Sequence, residues 1–236
     1  MKNNFKIGVI VADKDEFTPF EEFIKKDFYS EDFLFGRKML TFSVGNAEVC
    51  ALNCGIGKVN AAVAATALID NGCNIILNYG LSGGIGNTIR GSIVVPEKFL
   101  EHDFDLTGIG YKPCEKPSQD YIYEADKNLV EIIKGIVGDC EGSMAVSGDH
   151  FVCSDKESAF LEKTFNAVTC DMETAAIAYT CNVSGIPFAA VRKISDNADD
   201  SAVDNYREMN SIAKAMPYEI IIELINEINN SNVFRS

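Results

Sequence analysis

Short β-branched apolar runs alternate with amphipathic stretches along the whole chain. Phe5 to Ala12 is apolar, β-branched and ended by acids, so it reads as a buried strand. From Asp15 to Lys26 the apolar residues fall at helical spacing, with Phe17, Phe20, Phe23 and Ile24 on one side. Pro19 fits that helix if it lies in the first turn. Residues 33 to 53 read as strands in meander order, turning at Val44-Gly45-Asn46-Ala47. Gly57 to Asn71 is an alanine-rich helix closed by Asn71-Gly72. Further strands are predicted over Asn74 to Tyr79, Ser92 to Val95, Ser143 to Val146, Val168 to Cys170 and Pro187 to Ile194. Further helices are predicted over Glu124 to Val137, Asp155 to Phe165, Met172 to Asn182 and Asn205 to Ile228, the last kinked at Pro217. Gly80 to Gly86 and Lys112 to Asp120 read as loops.

This alternation predicts an α/β fold, a single three-layer α/β/α domain spanning residues 1–236. Its central sheet is mixed and mostly parallel, with antiparallel pairing near residues 33 to 53. Such sheets bind ligands at the carboxyl ends of their strands. Three acids fall there: Glu16 after the first strand, Glu173 after the strand ending near Cys170, and Asp196 after the strand ending near Ile194.

Charge and cysteine usage narrow the function classes. The formal net charge is −14 and no basic stripe is present, which argues against nucleic acid as a partner. The eight cysteines form no Cys-x-x-Cys pair and there are only two histidines, His102 and His150, so no metal site is expected. Several cysteines lie in apolar runs, as buried reduced thiols of a cytosolic protein do. No apolar stretch approaches the roughly 20 residues of a membrane span. The expectation is a cytoplasmic protein without membrane attachment.

Four motifs carry candidate chemistry, and each has an ordinary structural reading. Gly55-Ile56-Gly57-Lys58 follows a strand and opens a helix, but no Ser or Thr follows Lys58, so a tight turn suits it better than a triphosphate loop. Gly80 to Gly86 holds glycines dense enough to let backbone approach a small ligand. In Asp171-Met172-Glu173, either acid could serve only the first turn of a helix. Asp196 could cap a turn, but Arg192, inside an apolar strand, needs a partner, for which Glu16 and Glu173 are candidates.

Taken in order, these pieces resemble the purine nucleoside phosphorylase superfamily, and most closely its hydrolytic 5′-methylthioadenosine/S-adenosylhomocysteine nucleosidase branch. The resemblance runs along nearly the whole chain. It is carried by Glu16, Gly55-Ile56-Gly57-Lys58-Val59-Asn60-Ala61-Ala62, Gly83-Gly84, Gly91-Ser92-Ile93-Val94-Val95 and His102-Asp103. It continues through Ser147-Gly148-Asp149, Met172-Glu173-Thr174-Ala175-Ala176 and Arg192-Lys193-Ile194-Ser195-Asp196.

The resemblance implies release of adenine by hydrolysis of a ribosyl bond, through an oxocarbenium-like state like that of glycosidases. It implies Glu16 as the base that activates water, with Arg192 helping to hold the water. Glu173 would hold the 2′-hydroxyl and the Met172 backbone the ribose. Asp196 would donate a proton to the seven-position nitrogen of the purine, which requires a dry site. Phe151 would stack on the base, the Val152 backbone would read its edge, and Ser195 and Gly83 would line the pocket. No cofactor or metal is implied. A homodimer is implied, with a segment near Leu106 and Ile109 closing the neighbour's 5′ pocket. A carboxylate at Glu16 repels phosphate, which favours hydrolysis over phosphorolysis. A phosphorylase and a non-catalytic nucleoside binder are the alternatives. The chain departs from the family at Leu81, where a Ser or Thr normally supports the aspartate, and at Val203, where a phenylalanine normally lines the alkylthio pocket. The loop after Tyr111 is also shorter, and together these departures point to altered specificity for the 5′ group.

Overall fold

The computed structural model describes residues 5–25, 29–138, 140, 144–208 and 217–231. In chain order the elements are β1 (Lys6–Val11), α1 (Lys14–Ile24), β2 (Tyr29–Leu34), β3 (Arg37–Val44), β4 (Ala47–Asn53), α2 (Lys58–Asp70) and β5 (Ile75–Gly84). These are followed by β6 (Ile93–Val94), β7 (Lys98–Glu101), a 3-10 turn (Thr107–Ile109), β8 (Ile122–Glu124), α3 (Lys127–Val137) and β9 (Met144–Ser147). The chain continues with α4 (Asp155–Phe165), β10 (Ala167–Asp171), α5 (Thr174–Ser184), β11 (Phe188–Asp196), α6 (Ala202–Arg207) and α7 (Glu219–Asn230).

The strands form one mixed sheet in the order β2-β3-β4-β1-β5-β10-β9-β7-β8, with β11 also on β5 and β6 on β11. Helices flank it, α2 packing on α5 and α3 on α7. The α/β architecture is as the pattern predicts. Its parallel heart is β4-β1-β5-β11, and residues 29–53 supply the expected antiparallel meander. Antiparallel pairing also occurs elsewhere, at β10 on β5, β6 on β11 and β8 on β7.

The largest departure from the pattern is β5. The glycines from Gly80 to Gly84 continue the strand instead of leaving it as a loop. β5 pairs with β1 through Ile75 to Asn78, with β10 at Gly83 and Gly84, and with β11 along most of its length. It therefore passes from one half of the sheet to the other, buried throughout. Glycine weakens a strand on its own, but both edges of this one are paired and other groups press against it. β7 and β8 carried too short an alternation to be predicted.

At the carboxyl end of β11 the register shifts between Ile194 and Asp196, a bulge that brings Asp196 opposite Gly83. In α1, Pro19 lies beyond the first turn, where it forgoes a helical hydrogen bond, while Asp13 caps the helix. The aromatic side of α1 is pinned from below: Phe20 and Tyr218 rings lie 5.5 Å apart, and Tyr79 and Tyr218 rings 5.9 Å apart. The Tyr218 hydroxyl donates to the backbone carbonyl of Glu16 at 3.2 Å, tying the start of α7 to the turn that carries the acid. The predicted long helix from Asn205 to Ile228 crosses residues 209–216, outside the described residues; α6 and α7 flank them. No described helix is long and apolar enough to cross a membrane.

Candidate active site

The carboxyl ends of β1, β9, β10 and β11 and the glycine-rich half of β5 converge on a cavity of about 450 Å³. Glu16, Glu173, Asp196, Arg192, Phe151, Val152, Met172, Ser195 and Gly83 all line it, so the catalytic and base- and ribose-binding candidates meet in one place, while Leu106 and Ile109 do not line it. Glu16, Glu173, Asp196 and Arg192 are all buried.

Glu16 sits in the first turn of α1, its side chain turned onto β5. Its Oε1 accepts the Leu81 N–H at 2.8 Å. Its Oε2 and the Nη1 of Arg192 both lie over Gly80, where a Cβ would come within 2.8 and 3.0 Å of them. Burial pushes the Glu16 carboxyl up to about 7, with the Arg192 guanidinium opposing the rise. A carboxylate that changes charge near neutrality, beside a fixed cation, is suited to taking a proton from water.

Asp171 and Glu173 divide the two roles left open by the sequence. Asp171 is the structural acid: its Oδ1 accepts the N–H groups of Glu173 and Thr174 at 3.0 Å each and the Ser147 hydroxyl at 2.6 Å, and Thr174 donates to its Oδ2. Glu173 is thereby released from capping. Its Oε1 instead accepts the Gly57 N–H at 2.8 Å. Burial, then repulsion by Asp171, raises Glu173 to about 7.

Asp171 is also the ion-pair partner of Arg192, at 3.4 Å from Nε, in place of the Glu16 or Glu173 pairing weighed from the sequence. The other guanidinium nitrogens donate to Asn78 Oδ1 at 3.1 Å and to the Leu81 carbonyl. Replacing Asp171 with alanine should cost about 3–5 kcal/mol, because it leaves Arg192 buried without its counter-ion and uncaps α5. Urea unfolding measures this directly.

Asp196 accepts the Ser195 hydroxyl on Oδ2 at 2.7 Å and the Ala198 N–H on Oδ1 at 2.9 Å. The hydroxyl support that Leu81 cannot give thus comes from Ser195. Leu81 instead serves through its backbone, holding Glu16 with its N–H and Arg192 with its carbonyl. Gly83 is needed for closeness: a Cβ there would lie 3.1 Å from Asp196 Oδ1 and 3.1 Å from Cys170 Sγ. Ser82, one place after Leu81, accepts the Thr169 hydroxyl at 2.6 Å.

The helix start at Gly57-Lys58 is occupied from within. Gly57 N–H goes to Glu173 and Lys58 N–H to Asp149 at 2.8 Å, while Lys58 Nζ reaches Glu101 at 3.0 Å and Asp103 at 2.5 Å. Two carboxylates already fill the place a phosphate would take at a helix N-terminus, so the tight-turn reading holds.

Sequence reasoning missed Asn78, which joins Ile10, Thr174 and Arg192 by hydrogen bonds beneath the cavity. A lone amide within an otherwise apolar strand was its signal. It also missed Asp171 as the organiser, and Cys170, Ile56 and His150 as lining. The side chain of Val203 lies outside the described ones.

A cavity lined by buried acids at the carboxyl ends of a mixed α/β sheet is where this class of fold binds small ligands. Residues 6–226 match the model of the phosphorylase superfamily. Over 183 residues, 73% of this chain and 78% of the relative, the sequence is 37% identical to a 5′-methylthioadenosine/S-adenosylhomocysteine nucleosidase of an Exiguobacterium species. The chain belongs to this nucleosidase family of the phosphorylase superfamily. Among solved structures, it is similar to the Helicobacter pylori 5′-methylthioadenosine/S-adenosylhomocysteine nucleosidase with butyl-thio-DADMe-Immucillin-A. That match has a TM-score of 0.90 at 26% identity, covering 95% of this chain and 99% of the other. It is also similar to a futalosine hydrolase of H. pylori, with a TM-score of 0.89 at 26% identity, covering 94% and 98%.

Proposed function

We propose that the protein hydrolyses the N-glycosidic bond of 5′-methylthioadenosine, S-adenosylhomocysteine or a related adenosine, releasing adenine. The observation that carries this is the buried Glu16 carboxylate beside Arg192, facing a cavity that also holds Glu173 and Asp196. In this reading Glu16 takes a proton from a water held with Arg192, and that water attacks the ribose carbon as the base departs. Glu173 accepts the 2′-hydroxyl and offsets the positive charge that builds on the ribose. The Met172 backbone positions the sugar. Asp196, steadied by Ser195 and Ala198, passes a proton to the seven-position nitrogen of the leaving adenine. Phe151 stacks on the base, Val152 reads its edge, and Gly83 lets the base approach.

Hydrolysis is favoured over phosphorolysis because acids dominate the cavity, Arg192 is engaged by Asp171, and the α2 N-terminus is filled by carboxylates. The test is adenine release from a panel of 5′-substituted adenosines, with and without inorganic phosphate. Equal release in both conditions is expected. A strict need for phosphate would overturn the reading in favour of a phosphorylase, and tight binding without release would favour a simple binder.

The protein is further proposed to be a homodimer. Ile56, Val59 and Val63 at and along α2, with Tyr179 and Val183 of the adjoining α5, are exposed apolar side chains on neighbouring helices. Such a patch suits a second copy. Ile109, 72% exposed on the 3-10 turn with Leu106 before it, would reach the partner's 5′ pocket. Sedimentation at dimer mass is the expected result. Residues 1–236 act as one unit in the cytoplasm, in keeping with eight free cysteines.

A further inference from the structure

Three side chains next to the nucleoside cavity are left unexplained by its chemistry. His102 follows β7, His150 lies in the turn after β9, and Glu157 stands in the first turn of α4. One ligand-type atom from each lies within 4.8 Å of the others, and among the described residues this is the group with metal-site spacing. The two imidazole rings meet edge to face with centroids 5.0 Å apart, and His150 Nε2 lies 2.5 Å from Glu157 Oε1.

Two observations set this cluster apart from an ordinary surface ion pair, which would be worth about 0–1 kcal/mol. First, His102 Nε2 is buried without a hydrogen-bond partner among the protein atoms. A buried ring nitrogen left this way is costly unless something else bonds it. Second, the chain makes room for this nitrogen at Gly148: a Cβ there would lie 2.5 Å from His102 Nε2. Gly148 is not among the glycines with positive φ, so the close imidazole, and not the turn, accounts for it. The side chains of His150 and Glu157 are 44% and 33% exposed, so the cluster opens to solvent on one side.

We propose that His102, His150 and Glu157 form a binding site for a divalent transition-metal ion of the zinc type at the edge of the nucleoside cavity. Two imidazoles and one carboxylate suit such an ion, and leave a further position for water. This departs from the expectation of no metal, because the ligands come from distant parts of the chain and form no sequence motif. A bound ion would join β7, the turn after β9 and α4. His150 lines the cavity directly before Phe151 and Val152, so the ion would hold that turn in place. The proposal does not depend on which bond the cavity cleaves.

The test uses the full chain, stripped with chelator and kept reduced, titrated calorimetrically with Zn²⁺ alone. One ion per chain is expected. His150→Ala and Glu157→Gln alter an exposed and a half-buried side chain and should leave the fold intact. Each should weaken binding by more than the roughly 10–100-fold typical of losing an outer-shell partner. Co²⁺ bound in place of zinc should give visible bands without thiolate charge transfer. No zinc binding, unchanged affinity in both variants, or a thiolate band pointing to Cys153 would each overturn the proposal.

Discussion

Glu16→Gln should lower adenine release by about 10²–10⁴-fold, the usual worth of a positioned general base. The fold should survive, because glutamine keeps the shape and its carbonyl oxygen can still accept the Leu81 N–H. The pH profile separates loss of a base from loss of shape. Wild-type kcat/KM should fall as pH drops through about 7, where buried Glu16 takes up a proton. Glu173 also rises to about 7, so the wild-type limb should involve two protons and that of Glu16→Gln only one. Stability should move the other way. A carboxyl raised from 4.5 to about 7 on folding favours the folded state while it is protonated. That contribution is complete below the ordinary pKa and is lost as pH rises through about 7. Above neutrality the buried charge opposes folding by about 3 kcal/mol. Glu16→Gln should therefore have a Tm equal to or above that of the wild type in mildly alkaline buffer. A variant that is both inactive and less stable there would instead make Glu16 a structural residue.

Asp196→Asn should have an effect of similar size, about 10²–10⁴-fold, through the leaving group. The amide can keep both contacts, accepting from Ala198 and reorienting against the Ser195 hydroxyl, so binding should change little and kcat should carry the loss. An adenosine analogue whose base departs without protonation is the informative comparison. Asp196→Asn should slow it far less than it slows adenosine substrates, whereas Glu16→Gln should slow both. Equal slowing of the two substrates by Asp196→Asn would remove the acid role.

Much of this site is legible in the sequence, because α/β sheets put chemistry at strand ends and acids at three such ends are visible. What is not legible depends on groups that meet only in the folded chain. Asp171 and Glu173 are two residues apart in the same helix start, and local rules suit either one as cap. Only Ser147 and Arg192, from other strands, decide that Asp171 caps and Glu173 faces the cavity. Leu81 reads as a lost hydroxyl, yet its backbone ties Glu16 to Arg192 while Ser195 bonds Asp196. Gly80 to Gly84 reads as a loop because glycine is poor in strands. It is a strand because β11 and β10 pair with it, and its glycines leave room for Glu16, Arg192, Asp196 and Cys170, which side chains there would meet. The bulge at Asp196 is likewise a matter of register with β5, which the β11 sequence alone does not show.

In the proposed mechanism water, activated at Glu16, is the nucleophile. It is tested by a single turnover in ¹⁸O-labelled water with inorganic phosphate present, reduced at once with borohydride to fix the anomeric oxygen before it exchanges with solvent, and mass analysis of the sugar product. One ¹⁸O at the anomeric carbon of free ribose or its 5′-substituted form, with no sugar 1-phosphate, is expected. A sugar 1-phosphate carrying no label at that carbon would contradict it.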